Sequence, residues 1–235
     1  MSVFSRIVKA AKQGPKVWEN SQIYEFKHSR LFMESAHFAA YLESYKSGEP
    51  IFEQALRVHF FPEGSDEEIA ALVDHARARN NLEIGPSCGP VIFGFDAAKP
   101  PTIIEPVGEK IVEYQQEKFG FNVFENARLL SIDAAKPVAE LEGAVDGAIY
   151  VRNCIDHSPK WPFIMSNIAR YAAPGCRLIF WSEMNHGPEP DMGHYNMTDD
   201  VNDFLRFTEA LGFRIDRHFS DDPALPDLGI IATKI

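Results

Sequence analysis

Apolar residues follow two different periods along this chain. Over residues 1–79 they recur at helical spacing: Ile23, Phe26, Leu31, Phe32, Ala36, Phe38, Ala39 and Leu42 predict a helix over 21–45. Gly48-Glu49-Pro50 ends that pattern, and a short apolar piece over 51–60 stops at Pro62-Glu63-Gly64. Ser65-Asp66-Glu67-Glu68 has the form of a capping box, in which a seryl oxygen and a returning carboxylate satisfy the first free N–H groups of a helix. The helix it opens extends through Ala78, with Ile69, Leu72, Val73 and Ala76 on one face. From residue 80 the period changes. Short apolar runs at 82–85, 102–105, 122–125, 148–152, 178–182, 213–218 and 228–234 predict seven strands. Helical patterns at 107–119, 158–172 and 198–211 lie between them, while 90–98 is cut short by Pro100-Pro101. Strands alternating with helices predict an α/β domain over 80–235, with a mostly parallel sheet covered by helices on both faces. Residues 1–79 form a helical N-terminal extension to it.

The first strand runs into Asn81-Leu82-Glu83-Ile84-Gly85-Pro86-Ser87-Cys88-Gly89-Pro90, an acid followed by a turn of small residues. The second ends in Thr102-Ile103-Ile104-Glu105, placing another carboxylate sixteen residues after Gly89. Small residues let a backbone approach a ligand closely, and an acid at the second strand end can accept hydrogen bonds from ribose hydroxyls. The glycines Gly85, Gly89 and Gly94 do not match the Gly-x-Gly-x-x-Gly dinucleotide fingerprint. They match Glu-x-Gly-x-x-x-Gly, with Ser87 where a middle glycine usually stands.

This motif, and the order of elements after it, resembles the class I S-adenosylmethionine (SAM)-dependent methyltransferases over about two-thirds of the chain. The Pro174-Gly175 turn before the fifth strand and the closing Gly212-Phe213 resemble that family too. The resemblance implies a Rossmann-like, seven-stranded fold and SAM as cofactor. It implies Glu83 near the methionine amino group, Gly85, Ser87 and Gly89 beneath the cofactor, and Glu105 on the ribose. It also implies an adenine contact after the third strand, assigned to Asn126, and a methionine contact at Asn153. N-terminal helices in such proteins commonly form a lid.

After the fourth strand comes Asn153-Cys154-Ile155-Asp156-His157. The resemblance turns Asp156 and His157 toward the methyl acceptor; the other reading makes Asp156 or Ser158 a cap for the next helix. After the fifth strand, the long segment 183–196 carries His186 and His194. A hydroxyl acceptor is helped by a base titrating near neutrality, which makes His157, His186 and His194 the catalytic candidates. Glu183, His186, Asp191 and His194 also offer nitrogen and oxygen ligands, but no close His-x-x-x-His pair supports a metal, so none is expected. Tyr24, His28, His37 and His59 have two readings, a substrate-pocket one and a structural one, and the structural one is preferred for each.

Composition narrows the acceptor. With a net charge of −11 over 235 residues the surface repels phosphate backbones, so no nucleic-acid partner is expected. No apolar run approaches the ~20 residues that span a bilayer. The basic, helically spaced residues 1–14 read as a helix on the domain or a flexible end. Three widely spaced cysteines give neither a disulfide framework nor a zinc pattern and fit a reducing cytoplasm. The expected function is SAM-dependent methylation, at oxygen, of a small-molecule or carbohydrate acceptor, with a homodimer through the N-terminal helices as one arrangement. The alternatives are an NAD(P)-dependent oxidoreductase, which the glycine spacing and the lack of a Tyr-x-x-x-Lys pair oppose, and a non-catalytic binding module of the same fold.

Overall fold

Parallel strands buried on both faces need continuous apolar runs, and this chain supplies them at the centre of one sheet. The computed structural model describes residues 15–47, 51–59, 66–92, 99–186, 193–198, 200–220 and 227–235. The readings of 1–14, 93–98, Asp191 and the side chain of His59 lie outside the described residues. The strands are β1 (Leu82–Ile84), β2 (Thr102–Ile104), β3 (Arg128–Leu130), β4 (Ala148–Arg152), β5 (Arg177–Glu183), β6 (Phe213–Phe219) and β7 (Asp227–Lys234). They form a seven-stranded sheet in the order β3-β2-β1-β4-β5-β7-β6. Neighbours among β1 to β5 pair in parallel, and β7 runs antiparallel to both β5 and β6. The strand order reverses between β1 and β4, the place where open α/β sheets bind ligands beyond their carboxyl ends.

The two-residue period of β4 divides the interior. Ala148 and Tyr150 face one core; Ile149 and Val151 face the other. The first core packs four N-terminal helices, α1 (Pro15–Met33), α2 (Ala36–Ser47), α3 (Phe52–His59) and α4 (Asp66–Ala76), together with α5 (Gly108–Phe119). Met33, Phe38, Phe52, Leu56, Ile69 and Ile111 meet Ile103, Tyr150 and Ile179 there. The second packs α6 (Trp161–Tyr171) and α7 (Val201–Ala210) through Trp161, Ile164, Ile168 and Phe204 against Phe180 and Ile230. Helices therefore cover both faces, and the N-terminal extension supplies most of one cover. No described helix is long and apolar enough to cross a membrane.

Two elements differ from the sequence reading. The helix predicted over 21–45 is broken at Glu34 and Ser35, where the Ser35 hydroxyl accepts the Phe38 N–H at 3.2 Å and starts α2. The third strand is Arg128–Leu130, not 122–125. Val123 and Phe124 are buried without sheet pairing, and the Val123 N–H donates to Gln115 Oε1 at 2.9 Å. Their apolar character reports core burial beneath α5, which a strand pattern imitates.

Asn81 ties α4 to the sheet. Its Nδ2 donates to the Ala76 carbonyl at 2.9 Å and its Oδ1 accepts the Ala148 N–H at 2.8 Å. Gly147 leaves room for it, since a Cβ there would overlap Asn81 Oδ1. Asn81→Ala strands a buried N–H and a carbonyl, so it should lower unfolding stability by about 2–3 kcal/mol, read from urea midpoints. An unchanged midpoint would refute this role.

Candidate functional site

Two buried carboxylates organise the turn after β1. Glu83, 2% exposed, accepts the Val91 and Ile92 N–H groups at 2.9 and 3.0 Å on one oxygen. Glu105, 5% exposed, accepts the Ser87 N–H at 2.8 Å and the Val107 N–H at 3.1 Å on its two oxygens. Burial pushes both carboxyls up to about 7, against the downward pull of those N–H donors. The turn needs unusual backbone. Gly85 has φ +65, and a Cβ there would come within 2.5 Å of Cys154 Cβ. Ser87 also stands in the left-handed region at φ 54, a conformation that glycine accepts more readily. Asn153, after β4, sits at φ 42, where asparagine is among the tolerated residues.

Above this turn lies a cavity of about 500 Å³. Its floor is Glu83, Gly85, Ser87 and Gly89, its far wall Arg152, Asn153 and His157, and its roof comes from the N-terminal helices through Glu25, His28, Ser29 and Tyr41. The Ser29 hydroxyl is hydrogen-bonded to the Ser87 hydroxyl. Glu25 pairs with His157 Nδ1 at 2.8 Å. These two contacts fix α1 to the turn and to the end of β4. The buried Asn153 Oδ1 has no hydrogen-bond partner among the described residues and lines the same cavity wall.

Beside the cavity, Asp156 is fully buried on the 3-10 turn Ile155–His157. Its carboxylate accepts the Ser182 hydroxyl at 2.9 Å and meets His186 Nε2 at 3.0 Å. His194 lies between His157 and His186, with ring centroids 4.3 and 4.4 Å away. The three imidazoles are tuned differently. Burial would lower His157, but the Glu25 hydrogen bond and the Asp156 charge raise it above the usual imidazole range. The Asp156 hydrogen bond raises His186 against burial. Burial lowers His194, and the neighbouring His157 lowers it further. Burial would raise Asp156, yet hydrogen bonding from His186, the His157 charge and the Ser182 hydroxyl hold it below the ordinary carboxylate range.

The structure thus gathers Glu83, Gly85, Ser87, Gly89, Glu105, Asn153, His157, His186 and His194 at the carboxyl ends of β1, β2, β4 and β5. Asn126 is not gathered with them. It is exposed and precedes β3, at the amino end of that strand, because the strand begins later than the pattern predicts. Asp156 caps no helix. Tyr24, His28 and His37, read as structural, line the cavity. The sequence reading also passed over Glu25 and Ser29, whose partners lie far along the chain and leave no local spacing signal. Arg152, the last residue of β4, could have been found from its strand-end position. The thiols are free, with Cys88 and Cys176 buried and Cys154 half-buried.

The buried carboxyls set a pH dependence. A folded carboxyl near 7 beside an ordinary value near 4.5 means the folded chain binds more protons between those values. Their contribution to stability is therefore greatest at low pH and declines as pH rises through about 7. In Glu83→Gln, the fall of the unfolding midpoint between pH 4.5 and 7 should be shallower than in the wild type. Equal slopes would show that Glu83 is not so perturbed.

No protein-family model matches the sequence, and no curated protein matches it. Solved structures do resemble it. A Galdieria sulphuraria protein assigned as a sarcosine dimethylglycine methyltransferase superposes with TM-score 0.55 at 12% identity, over 72% of this chain and 82% of that one. A Listeria monocytogenes protein assigned as a SAM-dependent methyltransferase gives 0.54 at 13% identity, over 72% and 97%. The Burkholderia thailandensis 1,6-didemethyltoxoflavin-N1-methyltransferase, with 1,6-didemethyltoxoflavin and S-adenosylhomocysteine bound, gives 0.51 at 15% identity, over 84% and 89%. Together with the sheet order and the antiparallel β7, these establish that the chain has the class I SAM-dependent methyltransferase fold.

Proposed function

We propose that this chain is a SAM-dependent methyltransferase that methylates a hydroxyl of a small-molecule or carbohydrate acceptor. The observation that carries the reading is the cavity itself, floored by a glycine turn between two buried carboxylates and walled by a paired histidine. The residues fit the cofactor. A Cβ on Gly89 would meet nothing nearer than the Pro86 carbonyl at 3.9 Å, so the backbone there stands open to a ligand. Asn153 offers an unused buried acceptor for an ammonium group. Glu105 spends one N–H bond on each oxygen and keeps lone pairs for ribose hydroxyls. Glu83 lines the same floor, toward the methionine end.

When bound, SAM would supply an electrophilic methyl on a sulfonium leaving group, and an acceptor hydroxyl that takes it would give up its proton. The chain's part is to hold the acceptor and take that proton. His157 is placed for it, lining the cavity with its Nδ1 against Glu25, an arrangement in which a carboxylate orients a histidine base. His194 completes the polar wall, with His186 packed behind it. The N-terminal helices α1 to α4 act as a lid, α1 through Glu25 and Ser29, keeping water from the reacting centre. The acidic chain, at −11, favours an acceptor without a phosphate backbone.

Calorimetry with S-adenosylhomocysteine and, separately, NADH tests the cofactor class. Micromolar binding of the first alone is expected; binding of NADH alone would overturn the reading. Glu105→Ala should weaken S-adenosylhomocysteine by about 1–3 kcal/mol as charge-assisted bonds are lost. Once an acceptor is found, His157→Gln should lower kcat about 10²–10⁴-fold with little change in cofactor affinity. Glu25→Gln should shift the acidic limb of the pH profile to lower pH, because His157 loses the partner that raises it. An unmoved profile would reject the pair.

A further inference from the structure

We infer that Asp156, His186 and His194 form a binding site for one divalent transition-metal cation, of the zinc, cobalt and iron(II) class, beside the cavity. Asp156, Glu183, His186 and His194 each offer a ligand atom, and these atoms all lie within 4.8 Å of one another. Atoms sharing one ion at about 2.0–2.2 Å stand about 3–3.6 Å apart. His186 Nε2 and Asp156 Oδ2 already stand 3.0 Å apart. The set of two imidazoles and one carboxylate suits these cations, in contrast to the all-oxygen cages of magnesium and calcium.

The surroundings are those of a held site. His186 Nδ1 is 3.2 Å from the Glu183 carboxylate, which orients the ring and leaves Nε2 for the ion. The Ser182 hydroxyl donates to the other oxygen of Asp156 at 2.9 Å, so Oδ2 is the oxygen turned to the histidines, where an ion would replace its contact with His186 Nε2. The buried Nδ1 of His194 has no hydrogen-bond partner among the described residues. The supporting backbone is braced. The Tyr195 N–H donates to the Asp156 carbonyl at 2.8 Å, and the His186 N–H donates to Asn196 Oδ1 at 2.7 Å.

Three protein ligands leave a coordination position open, the pattern of sites that take part in chemistry and not of closed structural sites. His194 lines the cavity, so that position adjoins the space given above to the acceptor. An acceptor with a hydroxyl and a neighbouring oxygen is the class that would use it. His157 lies outside the ligand set and keeps its place against Glu25. Ion binding itself goes beyond methyl transfer and does not depend on it.

The test uses the full chain, stripped with a chelator and titrated with Co²⁺, followed by its visible absorption, and with Zn²⁺ by calorimetry. One equivalent binding at micromolar affinity or tighter is expected, with Zn²⁺ displacing Co²⁺. His186→Ala and His194→Ala should each weaken binding at least about 100-fold while circular dichroism stays unchanged. Ser182→Ala should weaken it about 10–100-fold by releasing Asp156. Failure to take up a stoichiometric ion overturns the site, and so does uptake that survives in a folded His194→Ala protein. S-adenosylhomocysteine titration of the same samples separates the two readings. An ion bound without S-adenosylhomocysteine upholds the site and sinks the methyltransferase reading; S-adenosylhomocysteine bound without an ion overturns the site alone.

Discussion

The turn after β1 is held by two carboxylates that would be costly to bury alone. Four backbone N–H groups, from Ser87, Val91, Ile92 and Val107, converge on Glu83 and Glu105. Those bonds set the path of residues 85–92, keep Ser87 at a positive φ, and leave Gly89 facing open space. In exchange the carboxylates obtain the donors that burial denies them from water. Neither side of this arrangement stands without the other. The parallel strands β1 and β2 place the two acids side by side, and the turn gives the acids a reason to be there. The carboxyls remain pushed up to about 7, so the compensation is incomplete and part of the strain stays in the site.

The second constraint is that the sheet needs a cover on the face that β1 presents to the N-terminal helices. Phe38, Phe52, Leu56 and Ile69 from those helices share a core with Ile103, Tyr150 and Ile179 of the sheet. The extension is therefore part of the hydrophobic interior. The same packing delivers Glu25 and Ser29 to His157 and Ser87. Burial of an apolar helix face and assembly of the site are one event in this chain. A helix lost from 15–47 would both open the core and strip the cavity of its roof.

Much of this was legible in the sequence because strand ends write it locally. An apolar run followed by an acid and small residues locates Glu83, Gly85, Ser87, Gly89 and Glu105, and the residues just beyond β4 locate Asn153 and His157. What was not legible is what depends on pairs distant along the chain. Glu25 meets His157 from more than a hundred positions away, and no spacing rule connects them. Asp156 stood in the sequence as an acceptor contact or a helix cap. Its partners Ser182 and His186 come from β5 and the segment after it, so no local spacing connects Asp156 with the histidine it meets. The misplaced third strand has a physical cause as well. Val123 and Phe124 satisfy the strand pattern while being buried under α5, and Asn126 was displaced from the site along with them.

Charge decides which ligand this cavity favours. Glu25, Glu83 and Glu105 line or underlie it, and Asp156 is buried next to it. The basic groups facing them are Arg152 and the imidazoles His157 and His186, whose proton affinity nearby carboxylates raise. A site built this way attracts cations and repels phosphates. A sulfonium and an ammonium meet it well, whereas the pyrophosphate of a nicotinamide dinucleotide would bring negative charge against Glu83 and Glu105, with no glycine-rich helix N-terminus among the described residues to receive it. His194 follows from the same field. It is flanked by two histidines that carboxylates raise, and burial with their repulsion lowers its own proton affinity. The carboxylates that line and underlie the cavity thus repeat, at the scale of the site, the acidic balance of the whole chain.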